Sequence, residues 1–174
     1  MRKLVLTTSG IARGEPAQGA IGIVLTDSQG KNLVQMGKTL GKASKEAVEY
    51  KALLEGLRLA IQYQPQELVV FVESQRLANQ ILGVLPPREA AIQHLNRQVR
   101  ELLQQFPRWR VSYVDEDACR LARRLAEQAL HRERQTERER EAIRQEILTA
   151  LDLLSLEDLR KTLGFLQSLQ GTKG

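Results

Sequence analysis

Few residues of this chain have the types and spacing that side-chain catalysis needs. The two histidines, His94 and His131, each lack a second histidine or a carboxylate at metal-ligand spacing. We interpret both as surface residues or as residues whose hydrogen bonds are satisfied. Cys119 is the only cysteine, which excludes an internal disulfide and a zinc-thiolate cluster. The sequence also contains no Ser-His-Asp arrangement and no P-loop.

The stretch GIARGEPAQGAIGIVL, which begins at Gly10, is unusually rich in glycine. Its four glycines are Gly10, Gly14, Gly19 and Gly22. Glycine tolerates a positive φ and permits close approach to the backbone, so this stretch could form a tight turn or contact a ligand. It is not a dinucleotide-binding fingerprint, because it leads into a strand and not into a helix.

Composition narrows the class of protein. A chain of 174 residues with 42% hydrophobic content favours one domain with an appendage. The net charge of +5 makes anionic partners plausible, whereas 4% aromatic content argues against a base-stacking platform. No signal peptide or membrane span is recognisable, so we expect a cytoplasmic protein without a membrane partner.

The elements that must position any site follow the order β-β-β-α-β-α-α-β-α. LVLTTS, AIGIVLTD and NLVQMGKTL are predicted to be three antiparallel strands, with Gly30 at a turn that needs a positive φ. An apolar stripe at helical spacing then ends at Pro65. The apolar run ELVVFVES predicts a buried central strand parallel to the first. Two helices, the strand WRVSYV and a closing helix follow.

The carboxyl-terminal part is predicted to be a charged helix followed by a helical hairpin. HRERQTERERE has no apolar stripe, whereas the tail has one at Leu156, Leu159, Leu163 and Leu166, and Ser155 is the predicted cap before it. We therefore expect two parts, residues 1–131 and 132–174. The stripe must be buried on the domain or on another chain.

Four segments of the chain resemble motifs of the type I ribonuclease H family, specifically of its reverse-transcriptase-like branch. They are SGIARGEPAQGAIGIVL, SKEAVEYKALLEGL, VVFVESQRLANQI and YVDEDACRLARRLAEQAL, in family order within about residues 1–130. The resemblance implies an α/β fold with a five-stranded mixed sheet of order 3-2-1-4-5 and helices on both faces. A carboxyl-terminal helical extension would follow it.

The resemblance also implies cleavage of the RNA strand of an RNA/DNA hybrid by two magnesium ions on four carboxylates. Such ions lie roughly 3.5–4 Å apart and prefer hard oxygen ligands. The four family positions fall on Ser9, Glu49, Glu73 and Arg123, so only Glu49 keeps the family's residue. A serine is a weak magnesium ligand, and glutamate at position 73 is one methylene longer than the family's aspartate.

Arg123 is the strongest departure, because a guanidinium stays protonated at any relevant pH. Our hypothesis is that Arg123 pairs with Glu49 and Glu73 and replaces the charge of the missing metal. In the alternative, it points outward beside Arg124. We expect no bound metal and an inactive or impaired site; if the site were active, Glu49 and Glu73 would hold Mg²⁺ or Mn²⁺.

Other acids could compensate for the lost ligands. The run Asp115–Asp117 precedes the closing helix, and one of its members could turn toward Glu49 and Glu73. Acids at this position are more often helix caps, and Asp117 stands where a cap belongs. Glu46 is a second possible substitute, or a solvated acid of the first helical turn.

Residues that could contact nucleic acid surround these positions. Arg13 falls where the family has an arginine beside the nucleic-acid backbone, and the family's paired asparagines fall on Lys45 and Glu46. Several lysines could meet phosphates as point charges. These lysines are Lys38, Lys42, Lys45 and Lys51. The basic loop expected after the second helix is replaced by GVLPPRE, which weakens the expected grip on a hybrid.

Three functions follow from these patterns. The first is a ribonuclease H-like protein that binds an RNA/DNA hybrid or structured RNA, with hydrolysis lost or impaired. The second is a scaffold that recruits a protein partner or forms a homodimer through its carboxyl-terminal helices. The third is an active metal-dependent ribonuclease H.

Overall fold

The computed structural model describes residues 3–172, which form five strands and five helices. In chain order these elements are β1 (Lys3–Arg13), β2 (Gln18–Asp27), β3 (Asn32–Lys42), α1 (Lys45–Ile61), β4 (Glu67–Val72), α2 (Gln75–Ile81), α3 (Ala90–Leu103), β5 (Trp109–Tyr113), α4 (Arg120–Asp152) and α5 (Leu156–Gly171). The chain divides into two compact units, Met1–Glu133 and Arg134–Gly174, which we call the first and second units.

The five strands form one mixed sheet of order β3-β2-β1-β4-β5, as predicted. β1, β2 and β3 pair antiparallel, whereas β4 pairs parallel with both β1 and β5. β4 therefore lies inside the sheet and carries the continuous apolar run expected of a central strand. Gly30, in the turn between β2 and β3, has the predicted positive φ of 80°.

Helices cover both faces of the sheet. One face packs against α1 and α3 in the main core, to which β2 contributes Ile21, Ile23 and Leu25. The opposite face packs against the beginning of α4, where Ile11 and Ala20 meet Ala126 and Leu130. Side chains alternate between the two faces of a strand, so consecutive residues of β1 and β2 pack into cores on opposite faces of the sheet.

Strand β1 is longer than the motif LVLTTS predicted. It continues to Arg13, because its antiparallel pairing with β2 extends from Leu4↔Asp27 to Arg13↔Gln18. Its parallel pairing with β4 ends earlier, at Thr8↔Val72. Ser9 is therefore in the middle of β1, yet it lies just beyond the last pair with β4.

The predicted cap of α4 by Asp117 is wrong. The helix begins at Arg120, after a turn, and it is Asp115 that accepts a hydrogen bond from the Ala118 amide at 3.0 Å. Asp117 forms an ion pair with Arg120 instead. The turn between the acidic run and the helix moves the capping position two residues toward the amino terminus.

The second unit consists of the carboxyl-terminal part of α4 and of α5. Ser155 caps α5 as predicted: its Oγ accepts from the Asp158 amide at 3.2 Å and donates to Asp158 Oδ2 at 2.8 Å. On α4, Arg140 Nη1 lies 3.9 Å from Glu137 Oε1, so these two charged side chains form an ion pair. None of the helices within residues 3–172 combines the length and the apolar character needed to cross a membrane.

Candidate functional site

Strand register brings Ser9 and Glu73 together. The parallel pair Thr8↔Val72 is the last between β1 and β4. Ser9 follows Thr8 within β1, and Glu73 directly follows the end of β4. Ser9 is 2% exposed, and the Glu73 side chain is 17% exposed. The sheet thus places a neutral hydroxyl beside a largely buried carboxylate at the carboxyl end of β4.

Helix α1 adds Glu49 to this pair because Gly10 lets the helix approach β1 closely. A Cβ on Gly10 would lie 2.7 Å from the Glu49 amide nitrogen, which is too close for any other residue. Ser44 fixes the start of the helix by accepting from the Ala47 amide at 3.2 Å. The first turn of α1 is therefore held against the strand that carries Ser9.

The carboxylate of Glu49 lies in a poorly solvated position. Burial raises its pKa, while Lys45 at 3.9 Å and a hydrogen bond with Ser74 lower it, and the nearby charges of Glu73 and Glu46 raise it. The net direction is upward. The effect of burial on the pKa therefore outweighs the opposing effects of Lys45 and Ser74. The ionised form of Glu49 is less favourable here than it would be in water.

A second glycine contact positions the guanidinium. Gly22 pairs with Ser9 across β1 and β2, and the Ala122 carbonyl oxygen of α4 lies 1.6 Å from where a Gly22 Cβ would be. Gly37 on β3 is covered in the same way by the Leu125 carbonyl. Helix α4 therefore lies directly on the sheet backbone, and the residue after Ala122 is Arg123.

The structure confirms the predicted contact of Arg123 with Glu73 but not the one with Glu49. The second partner of Arg123 is Glu116. Its Nη2 lies 3.8 Å from Glu73 Oε2, and its Nη1 lies 2.7 Å from Glu116 Oε2. The predicted pairing with Glu49 is not formed, because Glu49 contacts Lys45 from its own helix. Arg123 is 27% exposed, so it faces the site and does not point outward beside Arg124, which is exposed.

The charge of Arg123 is stabilised where it stands. Burial lowers its pKa, but the hydrogen bond with Glu116 and the charges of Glu73 and Glu116 outweigh burial, so the pKa is raised above its ordinary value. The guanidinium is permanently protonated in any case. The site thus contains a fixed positive charge beside Glu73.

Three buried polar atoms at this site have no hydrogen-bond partner within the protein. They are Ser9 Oγ, Glu73 Oε1 and Arg123 Nε. Ser9, Glu49 and Glu73 line a cavity of about 10 Å³, close to the smallest volume that accommodates a single water molecule. One water could therefore satisfy the serine hydroxyl and the carboxylate at once.

The residues present do not fit the pair of divalent ions that the resemblance implies. Two carboxylates remain of four, a serine hydroxyl contributes no charge, and a guanidinium lies 3.8 Å from Glu73. Two cations roughly 3.5–4 Å apart would be repelled by that guanidinium and would have too few anionic ligands. Within residues 3–172, no three His, Cys, Asp or Glu side chains are grouped as a metal site.

The acids considered as substitutes have other partners. Glu116 pairs with Arg123. Asp115 accepts a hydrogen bond from the Ala118 amide, and Asp117 pairs with Arg120 at the start of α4. Glu46 faces α2, where it accepts from Gln80 Nε2 at 3.1 Å.

A buried polar network lies behind Glu46. Gln80 accepts from the Tyr50 hydroxyl at 2.7 Å, and Asn96 donates to the same hydroxyl at 3.0 Å. All three side chains of this network, Tyr50, Gln80 and Asn96, are buried. The network joins α1, α2 and α3, and its Gln80 holds Glu46 by a hydrogen bond.

Three of the residues predicted to contact nucleic acid, Arg13, Lys42 and Lys45, lie at one corner of the sheet, whereas Lys38 lies mid-strand beside Ile21. Arg13 pairs in register with Gln18, and Gln18 pairs with Lys42, so the ends of β1, β2 and β3 align. Two residues separate the end of β3 from Lys45, the first residue of α1. Arg13 lies 3.6 Å from Glu127 of α4, whereas Lys42 is exposed.

The remaining reactive side chains take no part in the site. Cys119 is fully buried, and burial, followed by the charges of Glu73 and Asp115, raises its pKa to about 12 despite the opposing effect of Arg123. Its thiol is therefore protonated and unreactive at neutral pH. His94 and His131 are both exposed, in agreement with their interpretation as surface residues.

Two side-chain contacts at the site were not predicted from the sequence. Glu116 is the nearest partner of Arg123, and Ser74 both caps α2 through the Leu77 amide and hydrogen-bonds Glu49. The signal for Ser74 was available, because its capping position lies directly after Glu73. No sequence signal distinguishes Glu116 from the acids on either side of it.

Comparison with known proteins agrees with this architecture. The model of the reverse transcriptase-like family matches residues 7–129. Ribonuclease HI of Halobacterium salinarum is 29% identical over 121 residues, which cover 70% of this chain and 61% of that protein. The bifunctional protein Rv2228c of Mycobacterium tuberculosis is 27% identical over 129 residues, or 74% of this chain and 35% of that protein. The matches thus span less than two thirds of either relative.

Solved structures show the same fold. The crystal structure of RNase H1 from Halobacterium salinarum superposes with a TM-score of 0.71 at 27% identity, covering 74% of this chain and 98% of that one. The amino-terminal RNase H domain of Rv2228c gives 0.70 at 26% identity, covering 73% and 98%. The family model matches most of the first unit, so this chain belongs to the reverse transcriptase-like family and has the fold of ribonuclease H.

Proposed function

We propose that the first unit binds nucleic acid, either an RNA/DNA hybrid or structured RNA, and that hydrolysis is lost or strongly impaired. The observation that carries this proposal is the position of Arg123, whose guanidinium lies 3.8 Å from Glu73 at the end of β4. A metal-dependent nuclease needs cations at this place to stabilise the attacking and leaving oxygens. A fixed side-chain cation neutralises Glu73 but offers no site at which water can be activated.

Charge distribution supports retained binding. Residues 1–133 contain 19 Lys and Arg against 14 Asp and Glu, so the net charge of +5 belongs to the first unit. Residues 134–174 contain seven of each and are neutral. Contacts to phosphates dominate affinity for nucleic acid and need such an excess of cations.

The corner formed by β1, β3 and α1 is our candidate for the phosphate contacts. Lys42 and Lys45 are exposed there, and the Lys45 side chain is 69% exposed although it lies near Glu49. Another protein with this fold, LC11-RNase H1, was crystallised with an RNA/DNA hybrid. A duplex containing RNA is read through its shape and its 2′-hydroxyls, which does not require a catalytic metal.

Fluorescence anisotropy with labelled hybrid, double-stranded RNA and double-stranded DNA over a salt series tests the binding. We expect affinity to fall with salt, and the double variant Lys42→Gln/Lys45→Gln to reduce the slope of log K against log salt by about 1–2. Lys31→Gln, in the turn between β2 and β3, is the matched control and should leave the slope unchanged. Absence of salt-dependent binding to all three duplexes would remove the proposal.

A cleavage assay tests the loss of hydrolysis separately. Labelled RNA/DNA hybrid is incubated with the protein and Mg²⁺ or Mn²⁺, with an active ribonuclease H as the positive control. We expect no cleavage above background. Robust cleavage that depends on the metal and disappears in Glu49→Gln or Glu73→Gln would establish an active hydrolase and overturn the proposed inactivity.

A further inference from the structure

The second unit exposes almost all of its apolar side chains. No residue of α5 is buried, and the last buried residue of α4 is Leu130. The exposed large apolar residues of this unit are Ile143, Ile147, Leu148, Leu153, Leu154, Leu156, Leu159, Leu163, Phe165, Leu166 and Leu169. An isolated helix gains most of its stability from packing an apolar face, so a surface of this kind requires a partner.

The apolar residues follow a regular spacing. On α4, Ile143, Ile147 and Ala150 are separated by four and three positions. On α5, the spacing of Leu156, Leu159, Leu163 and Leu166 is three, four and three. A repeat averaging 3.5 residues is typical of helices that pack side by side along a coiled-coil seam. We call these two rows the α4 seam and the α5 seam.

Charge on the second unit favours a second copy of the same chain as the partner. Residues 134–174 carry seven positive and seven negative side chains, and both signs are interspersed along α4. A neutral surface neither repels its own copy nor selects a strongly acidic or basic protein. Each copy contributes one α4 seam and one α5 seam. Two copies therefore provide four helices, which are enough to form a four-helix bundle with an apolar interior.

We propose that the second unit joins two copies of this chain into a homodimer, with the α4 and α5 seams of both copies forming a shared helical bundle. The proposed dimer does not depend on nucleic-acid binding by the first unit. If the proposed function is also correct, each particle carries two nucleic-acid-binding units, and a long duplex is bound with avidity.

Sedimentation equilibrium of the full chain between about 1 and 100 µM tests the proposal without any nucleic acid. We expect a mass twice that of the 19.7 kDa chain. The double variant Leu159→Glu/Leu163→Glu places charges in the α5 seam and should give the monomer mass. Leu153→Glu is the matched control, because Leu153 is 85% exposed and lies outside both seams; it should remain dimeric.

The wild-type mass decides the main question by itself. A monomer at 100 µM, or assemblies larger than two copies, would overturn the homodimer. A dimer that persists in the seam variant would overturn the assignment of the interface. Circular dichroism and Trp109 fluorescence of the seam variant should show an intact first unit, because neither substituted residue belongs to it.

Discussion

Replacing Arg123 by alanine removes the cation that faces Glu73 and Glu116. At 3.8 Å, two unit charges near a protein surface attract by roughly 4 kcal/mol before screening and desolvation are considered. Arg123 and Glu73 are 27% and 17% exposed, so the net loss lies between that of a surface pair and that of a buried pair, at about 1–3 kcal/mol. Glu116 is 75% exposed and adds less than about 1 kcal/mol.

Urea unfolding followed by the fluorescence of Trp109, the only tryptophan, measures this loss. Trp109 lies on β5 and packs against the main core, so its emission reports on the first unit. A double-mutant cycle of Arg123→Ala with Glu73→Gln isolates the pair. We expect a coupling free energy of about 1–2 kcal/mol, whereas Arg124→Ala, at an exposed neighbouring position, should cost less than about 0.5 kcal/mol.

Two results would refute this reasoning. A coupling below about 0.3 kcal/mol would show that the two charges do not stabilise each other. An Arg123→Ala variant as stable as Arg124→Ala would show that the guanidinium is not needed to neutralise the buried carboxylate. In either case Arg123 would not be a substitute for the charge of a metal.

Two further predictions concern the elements around the site. Gly22→Ala places a methyl group where the Ala122 carbonyl lies, so we expect a loss of about 1–3 kcal/mol or more in urea unfolding; wild-type stability would contradict the contact of α4 with β2. The raised pKa of Glu49 means that the folded state binds the extra proton between the ordinary value of 4.5 and the raised one, so stability falls as pH rises through that window. Glu49→Gln should therefore unfold at higher urea than wild type at pH 7, with the difference vanishing below pH 4.5; a less stable variant at pH 7 would contradict the burial argument.

Much of the fold was predictable because local patterns and the resemblance agree. The apolar run of β4, the turn at Gly30 and the cap at Ser155 each depend on neighbouring residues alone, and all three are confirmed. The length of β1 was not predictable from its own residues. Its continuation to Arg13 depends on pairing with β2, which is a contact between strands.

The site was predicted less completely for a related reason. Its residues were placed by motif positions, and the structure brings Ser9, Glu49 and Glu73 to one cavity. The partners of Arg123 depend on how α4 lies on the sheet, and this is set by Gly22 and the Ala122 carbonyl. A shift of α4 by one turn along its axis would have given Arg123 different partners. No pattern within the helix could therefore select Glu116 in advance.

Calorimetric titration of Mn²⁺ into the full chain at pH 7 tests most directly whether Arg123 has replaced the metal. We predict no saturable binding up to millimolar metal by the wild-type protein. Saturable binding that is lost in both Glu49→Gln and Glu73→Gln would contradict the account.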